Sequence, residues 1–247
     1  VSKVDRAGQP GRRWPKFPSR APRLLADSAV TGFQKPSAAR LRWFVMDSHY
    51  FSAQPAGPET RKPLRTVLAG VERTLVTSSG IFSSDGIDKG TRILLAEAPD
   101  PVGSRMLDIG CGWGPLALTM ALLAPDAQVV AVDVNERALA LTAENAKLLG
   151  LGNVVATRPE EVDADATFDT IWSNPPIRVG KDELHALLLK WLPRLSPGGS
   201  AWLVVQKNLG ADSLQKWIAD QLADGFEVSR TATSKSFRII RVERLTP

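Results

Sequence analysis

The sequence predicts an open α/β fold: a mostly parallel, seven-stranded sheet with helices on both faces, plus a small N-terminal β-hairpin. Three observations lead there. From Arg105 onward, short β-branched runs alternate with helix-length stretches. A glycine turn, Asp108-Ile109-Gly110-Cys111-Gly112-Trp113-Gly114-Pro115, joins the first of these strands to its helix. A later apolar run, Phe168-Asp169-Thr170-Ile171-Trp172, leads into Ser173-Asn174-Pro175-Pro176.

The elements follow in order. Leu64 to Thr77 is rich in Val, Leu and Thr, with Ala69-Gly70 near its middle, and reads as two short strands of a hairpin. Ser78-Ser79-Gly80 and Ser83-Ser84-Asp85-Gly86 are turn chemistry around Ile81-Phe82. Asp88 to Ala98 is a short helix ending before Pro99. Met106 to Ile109 is a buried strand and Pro115 to Leu123 a helix, its proline suited to the first turn. Gln128 to Val132 is a strand, and Glu136 to Leu149 a helix closed by Gly150. Strands follow at 153–156 and 168–173. The helix from Asp182 to Leu195 is stopped by Ser196-Pro197-Gly198-Gly199. A strand at 201–205, a helix at 213–223 and strands at 226–228 and 237–242 complete the pattern.

The chain has 247 residues, 43% of them hydrophobic, enough for one well-formed core with an extension. No run approaches the roughly 18 apolar residues of a membrane span, and the basic N-terminus lacks the apolar stretch of a secretory signal. One cysteine excludes an intrachain disulfide and fits a cytoplasmic setting; with two histidines it also argues against a His/Cys metal site. Residues 1–45 carry 10 Lys/Arg against 2 Asp/Glu, so the whole net charge of +5 belongs to them. They read as a solvated, disordered extension before a domain spanning residues 46–247. Two other readings stay open: a basic arm that tracks phosphates, or translation starting at Met46 with an over-extended reading frame upstream.

In an open parallel sheet, ligands bind beyond the carboxyl ends of the strands where the strand order reverses. Gly110, Gly112 and Gly114 lie at such an end, where glycine lets the backbone approach a ligand and the helix start offers free amides. Asp133 ends the next strand, placed to accept hydrogen bonds from ribose hydroxyls. A nicotinamide dinucleotide would call for G-x-G-x-x-G spacing, whereas here Gly-Cys-Gly-Trp-Gly follows closely on Asp108. That acid would crowd a pyrophosphate but suits a cofactor with a cationic amino-acid tail, so S-adenosylmethionine fits better.

Asn174-Pro175-Pro176 then reads as a reaction centre. An exocyclic amino nitrogen donates its lone pair into the ring and is a poor nucleophile. Accepting both its N–H bonds, through Asn174 Oδ1 and the Pro175 carbonyl, orients it and favours a tetrahedral transition state. The prolines stiffen the backbone that carries these acceptors. No strong base is needed, since the proton can leave after the nitrogen becomes positive.

These motifs resemble the methyltransferase small domain of bacterial 16S ribosomal RNA guanine-N2 methyltransferases. Ser79-Gly80-Ile81-Phe82-Ser83, then Asp88 and Gly90-Thr91, match a segment that distinguishes this group, and the likeness covers about residues 48–245. The resemblance implies a Rossmann-like class I fold, S-adenosylmethionine as cofactor, and ribosomal RNA or the small ribosomal subunit as partner. It implies cofactor contacts from Asp108, Gly110, Cys111, Gly112, Gly114, Asp133, Val134 and Asn174, and catalytic roles for Asn174, Pro175 and Pro176. Substrate contacts fall to Ile177, Arg178, Lys181 and Lys207.

Two features depart from the group. Ile177 stands where an aromatic usually stacks on the target base, with Trp172 or Trp113 as substitutes. The long members also carry a second, degenerate domain before the catalytic one; the 247 residues leave no room for it and read as one of the shorter members, whose substrates differ. DNA adenine N6, a protein glutamine amide, or a non-catalytic RNA-binding role are the alternative readings. Glu160 and Glu161 are candidates for an adenine contact or a solvated pair. His49 and Tyr50 read as a packed or surface pair, His185 as structural, and Arg238, Arg241 and Arg244 as a strand-face series.

Overall fold

The computed structural model describes residues 57–222, 224–234 and 236–247. The expectations for residues 1–45, Met46, His49 and Tyr50 lie outside the described residues. Among these, two strands form a hairpin, β1 (Arg61–Leu68) and β2 (Val71–Ser78). Seven more form one sheet: β3 (Arg105–Ile109), β4 (Gln128–Val132), β5 (Val154–Thr157), β6 (Phe168–Ser173), β7 (Leu195–Gln206), β8 (Phe226–Ser234) and β9 (Phe237–Arg244). The helices are α1 (Lys89–Glu97), α2 (Pro115–Leu123), α3 (Glu136–Leu148), α4 (Lys181–Trp191) and α5 (Ala211–Leu222). The sheet order is β5-β4-β3-β6-β7-β9-β8, parallel except for β9, which runs antiparallel to both β7 and β8. This is the expected α/β architecture, hairpin included.

Alternation along the strands assigns the two faces. Leu107, Ile109, Ile171, Leu203, Val205, Ile240 and Val242 pack with Leu184, Leu188 and Trp191 of α4 and with Leu214 and Ile218 of α5. Their neighbours Met106, Trp172, Trp202, Val204 and Ile239 face the other way, onto Leu94 of α1 and Leu116, Ala117 and Met120 of α2. Six consecutive residues of α2 are buried, because this helix lies between the sheet and further apolar elements on its outer side.

Where element limits differ from the sequence reading, the backbone supplies the reason. α4 ends at Trp191 and Leu192–Arg194 continues as a tighter turn around Pro193. The Ser-Pro-Gly-Gly run is then no stop but a bulge inside β7, between the pairs Phe168–Leu195 and Thr170–Ser200. Gly199 makes that bulge possible. A Cβ there would lie 2.9–3.0 Å from the carbonyl oxygens of Ser196, Phe168 and Asp169. The last two strands are longer than expected because they pair with each other along most of their length.

The hairpin turns at Ala69-Gly70, both at positive φ (48° and 76°), as a two-residue turn between right-twisted strands requires. Its Leu64, Leu68 and Leu75 pack with Ile81, Trp113, Leu118 and Leu141. One polar residue locks it in place. Asn145, fully buried on α3, accepts from Val76 N (2.8 Å) and donates to the carbonyls of Val76 (2.9 Å) and Trp113 (3.0 Å). Its amide thereby joins the hairpin to the residue in the middle of the glycine turn. Asn145→Ala is expected to lower stability by about 3 kcal/mol, since one buried and two half-buried backbone groups lose their partner. Urea unfolding checks this, and a loss below about 1 kcal/mol would contradict the role given to Asn145.

Candidate active site

β3 and β6 lie side by side in parallel, with Ile109 opposite Ser173. The Ser173 hydroxyl donates to the Ile109 carbonyl at 2.7 Å, so the two strands end together. One chain end enters the glycine turn and the other enters Asn174-Pro175-Pro176. Strand order departs in opposite directions from this pair, with β4 and β5 on one side and β7 on the other. The crevice at such a reversal is where ligands settle in this architecture.

A cavity of about 350 Å³ occupies that position. Gly110, Gly112, Asp133 and Val134 line it together with Asn174, Pro175, Pro176, Ile177 and Arg178. Gly110 (φ 78°) and Gly112 (φ 58°) are in the left-handed region, and a Cβ on either would meet nothing within 4 Å. The backbone is therefore bare where it lines the cavity. The Gly110 and Cys111 amides donate to the Val132 carbonyl (2.8 and 3.0 Å), holding the turn against the end of β4. Asp133 accepts from Gly112 N (3.0 Å) through Oδ2 and from Asn135 N (2.9 Å) through Oδ1, leaving further lone pairs on both oxygens.

Other predicted residues fall elsewhere. Gly114 points its missing Cβ at Thr142 Oγ1 (3.1 Å) and Leu118 (3.2 Å), so it serves helix packing rather than the cavity wall. Cys111 is buried beneath the turn and accepts from the Thr142 hydroxyl at 3.5 Å; burial pushes its thiol up, so it stays neutral. Lys181 and Lys207 are exposed and do not line the cavity, although each adjoins a segment that does. Trp113 and Trp172 are 1% and 2% exposed, sealed into the core, which removes both as stacking partners for a base. Glu161 accepts from Thr157 Oγ1 and Arg158 N, and these bonds hold its carboxyl below the usual range. It closes the turn after β5, while Pro159 is the residue of that turn that reaches the cavity. His185 stacks on Trp217 at 3.4 Å, a packing role. Arg238 pairs with Asp212, Arg241 with Glu243, and Arg244 donates to the Leu195 carbonyl, all of them strand-face contacts.

Two aromatic residues missed by the sequence reading line the cavity, Phe82 and Phe237. Phe82 is half exposed between two turn segments, which was a usable signal. Phe237 is placed by pairing opposite Gln206 at the end of β7, a register that no local pattern announces.

Two carboxylates dominate the electrostatics. Asp108 is fully buried; Oδ2 accepts from Ala117 N at 2.9 Å, and Oδ1 has no partner. Burial, opposed by the Ala117 amide and aided by the charge of Asp133, pushes its carboxyl up to about 8. Burial also raises Asp133, against the amides of Asn135, Gly112 and Val134. A ligand bearing positive charge would relieve both. The bare glycine backbone, the unpartnered Asp108 oxygen and the ribose-suited Asp133 together fit the S-adenosylmethionine expected from the sequence.

Comparison with known proteins agrees with this geometry. Residues 72–241 match the family model described as Methyltransferase small domain. The chain is 35% identical over 204 residues to the uncharacterized protein YbxB of Bacillus subtilis, covering 81% of this chain and all of that one. It is 33% identical over 139 residues to ribosomal RNA small subunit methyltransferase C of Hahella chejuensis, covering 55% of this chain and 41% of that protein. Among solved structures, a T. thermophilus 16S rRNA N2 methyltransferase in complex with AdoMet and guanosine superposes with a TM-score of 0.63 at 25% identity, over 77% of this chain and 52% of that one. The chain thus spans about half the length of the ribosomal RNA methyltransferases it matches.

The raised Asp108 carboxyl has a consequence for ligand-free stability. The folded protein retains a proton that the unfolded chain releases from pH 3.8 upward, so this group costs stability as pH rises towards about 8. The slope is at most about 1.4 kcal/mol per pH unit. Asp108→Asn removes the effect, so the variant should gain on the parent between pH 5 and pH 8. Thermal melts of both proteins across that window test this; parallel curves would refute it.

Proposed function

The chain belongs to the methyltransferase small domain family, and we propose that it transfers a methyl group from S-adenosylmethionine to the exocyclic N2 of a guanine in 16S ribosomal RNA. One observation carries the proposal: the glycine turn with its acidic partner and the Asn-Pro-Pro loop are two walls of a single cavity. The T. thermophilus structure that this chain resembles, an N2 methyltransferase in complex with AdoMet and guanosine, supports the choice of acceptor. Ribosomal RNA as partner and the cytoplasm as location follow from this reading.

Gly110, Gly112, Asp133 and Val134 would hold the cofactor, with Asp108 behind them as a buried acid. Bound S-adenosylmethionine would supply an electrophilic methyl carbon on its sulfonium. The protein's own part is to orient the nitrogen. Asn174 Oδ1 accepts one N–H and the Pro175 carbonyl the other. That carbonyl already accepts from Ile177 N at 2.8 Å, closing a tight turn about Pro176 (φ −74°, ψ 75°). The bond fixes its direction, and a carbonyl has a second lone pair to offer. As the nitrogen turns tetrahedral, both acceptors stabilise its growing positive charge, and the proton then passes to water.

Ile177 lines the cavity but packs in part against the core. The planar surface expected at that position comes from Phe237 or Phe82 instead. Lys89, Arg178, Lys181 and Lys207 are exposed and form no ion pair among the described residues. Free cations near the cavity suit the phosphates that flank an acceptor nucleotide.

Labelled cofactor offered with small subunits, naked 16S RNA, large subunits and duplex DNA tests the acceptor. Label is expected in 16S RNA as N2-methylguanosine, and label confined to another substrate would overturn the assignment. Asn174→Ala should lower kcat by roughly 100-fold or more, with S-adenosylhomocysteine affinity changed by less than about threefold. Single-turnover assays and calorimetry measure the two quantities. Undiminished turnover would remove Asn174 from the mechanism.

A further inference from the structure

An asparagine can orient an acceptor amine only if its amide is held the right way round. Its oxygen must face the cavity, because an NH2 group there would meet the N–H bonds of the acceptor donor against donor. Nothing in the Asn-Pro-Pro loop settles this, since the two ends of the amide have nearly the same shape.

The deciding contacts come from a distant part of the chain. Asn174 Nδ2 donates to Asp88 Oδ2 at 2.9 Å and to Thr91 Oγ1 at 3.1 Å. Asp88 is also the N-cap of α1, accepting from Gly90 N (2.7 Å) through Oδ1 and from Thr91 N (3.2 Å) through Oδ2. The Thr91 hydroxyl donates its hydrogen to Asp88 Oδ2, so its oxygen faces Asn174 as an acceptor. Two acceptors therefore meet the two hydrogens of one NH2 group. A flipped amide would set its oxygen against the Asp88 carboxylate and could regain a bond from Thr91 only by taking that hydroxyl's hydrogen away from Asp88.

Asn174 Oδ1 accepts no hydrogen bond and is not among the buried atoms lacking a partner, so it stays open to an incoming donor. Gly90 shows how closely the groups converge. A Cβ there would lie 3.2 Å from Asp88 Oδ1, 3.2 Å from Phe237 Cε1 and 3.3 Å from Asn174 Oδ1. Asp88, Asn174 and Phe237 all line the same cavity.

We infer that Asp88, assisted by Thr91, is a positioning residue that locks the Asn174 amide with its oxygen towards the acceptor. The inference rests on the methyl-transfer reading above and names what makes that site competent. Asp88 does not touch the acceptor; it acts through Asn174.

Asp88→Asn is the discriminating variant. Asparagine caps a helix about as well as aspartate, so folding and S-adenosylhomocysteine affinity should change little. It replaces one carboxylate oxygen by NH2, however, and cannot serve both the α1 amides and Asn174. The Asn174 amide then loses its lock, and kcat should fall by about 100-fold, as small misplacements at a reacting centre do. Added to Asn174→Ala, the same change should cost nothing further, because the group it positions is gone. A purely structural role would lower both backgrounds alike. Thr91→Val should lose about tenfold, and Thr91→Ser should restore what Thr91→Val loses.

A readout independent of turnover is the side-chain NH2 signal of Asn174, identified by its disappearance in Asn174→Ala. It should be protected from solvent exchange in the parent and lose that protection in Asp88→Asn. Parent-like kcat or unchanged protection in Asp88→Asn would overturn the inference, as would additive losses in the double variant. If Asp88→Asn fails to fold, the Thr91 pair decides by the same criteria. The two levels separate cleanly. No label in any acceptor with the parent protein sinks the methyl-transfer reading and full turnover in Asn174→Ala removes Asn174 from it, whereas a dead Asn174→Ala beside a fully active Asp88→Asn sinks only the role of Asp88.

Discussion

The site depends on the pairing of β3 with β6. Because Ile109 stands opposite Ser173, two loops that are far apart in sequence leave the sheet at the same height, one to each side of the crevice. The Ser173–Ile109 hydrogen bond fixes that alignment at the last residue of each strand. A slip of one position would turn Leu107 and Ile109 away from α4 and α5 and drive Asp108 into their place. The core therefore enforces the register, and the register places the glycine turn against Asn174. No residue of either loop could arrange this alone.

The crevice so formed is acidic, and no cation pairs with its acids among the described residues. Two carboxyl groups sit beside it, one with an unpartnered oxygen, and both are shifted towards the neutral form chiefly by burial. A cation within reach would have stabilised the fold. Arg137, two residues beyond Asn135, directs its guanidinium instead to the carbonyls of Ser79 and Gly57. The charge deficit is thus left for a ligand to fill, a usual mark of sites shaped for binding rather than for stability. The same economy governs Asn174, whose hydrogens are committed and whose oxygen is left free.

Much of this was legible in the sequence because it is local. The limits of α2, β4 and β6 follow from Pro115, from the Val-Val-Ala-Val run and from the start of the Asn-Pro-Pro loop, and the structure places them where those signals do. The glycine turn and Asp133 were readable for the same reason. What escaped depends on contacts between distant segments. Ser-Pro-Gly-Gly has the composition of a stop, yet pairing with β6 makes it a bulge. Trp113 and Trp172 flank the site in sequence, yet their side chains point into the core. Phe237 reaches the cavity only through its antiparallel register with Gln206, and the bond from Asn174 to Asp88 spans 86 positions.

That last contact changes how the segment before the sheet should be understood. The hairpin and the turns after it look like an appendage to a complete α/β domain, but residues 79–91 supply part of the cavity wall. Asn135 follows Asp133 by two positions, caps α3 and donates to the Gly80 carbonyl at 3.0 Å. The loop that carries the ribose-suited acid therefore also holds the segment that carries Phe82. Further along that segment, Asp88 caps α1 and accepts from the Asn174 amide. The loop after β4 and the Asn-Pro-Pro loop are thus both anchored to one stretch of chain. The segment before the sheet therefore supplies the two acceptors, Asp88 and Thr91, that hold the Asn174 amide.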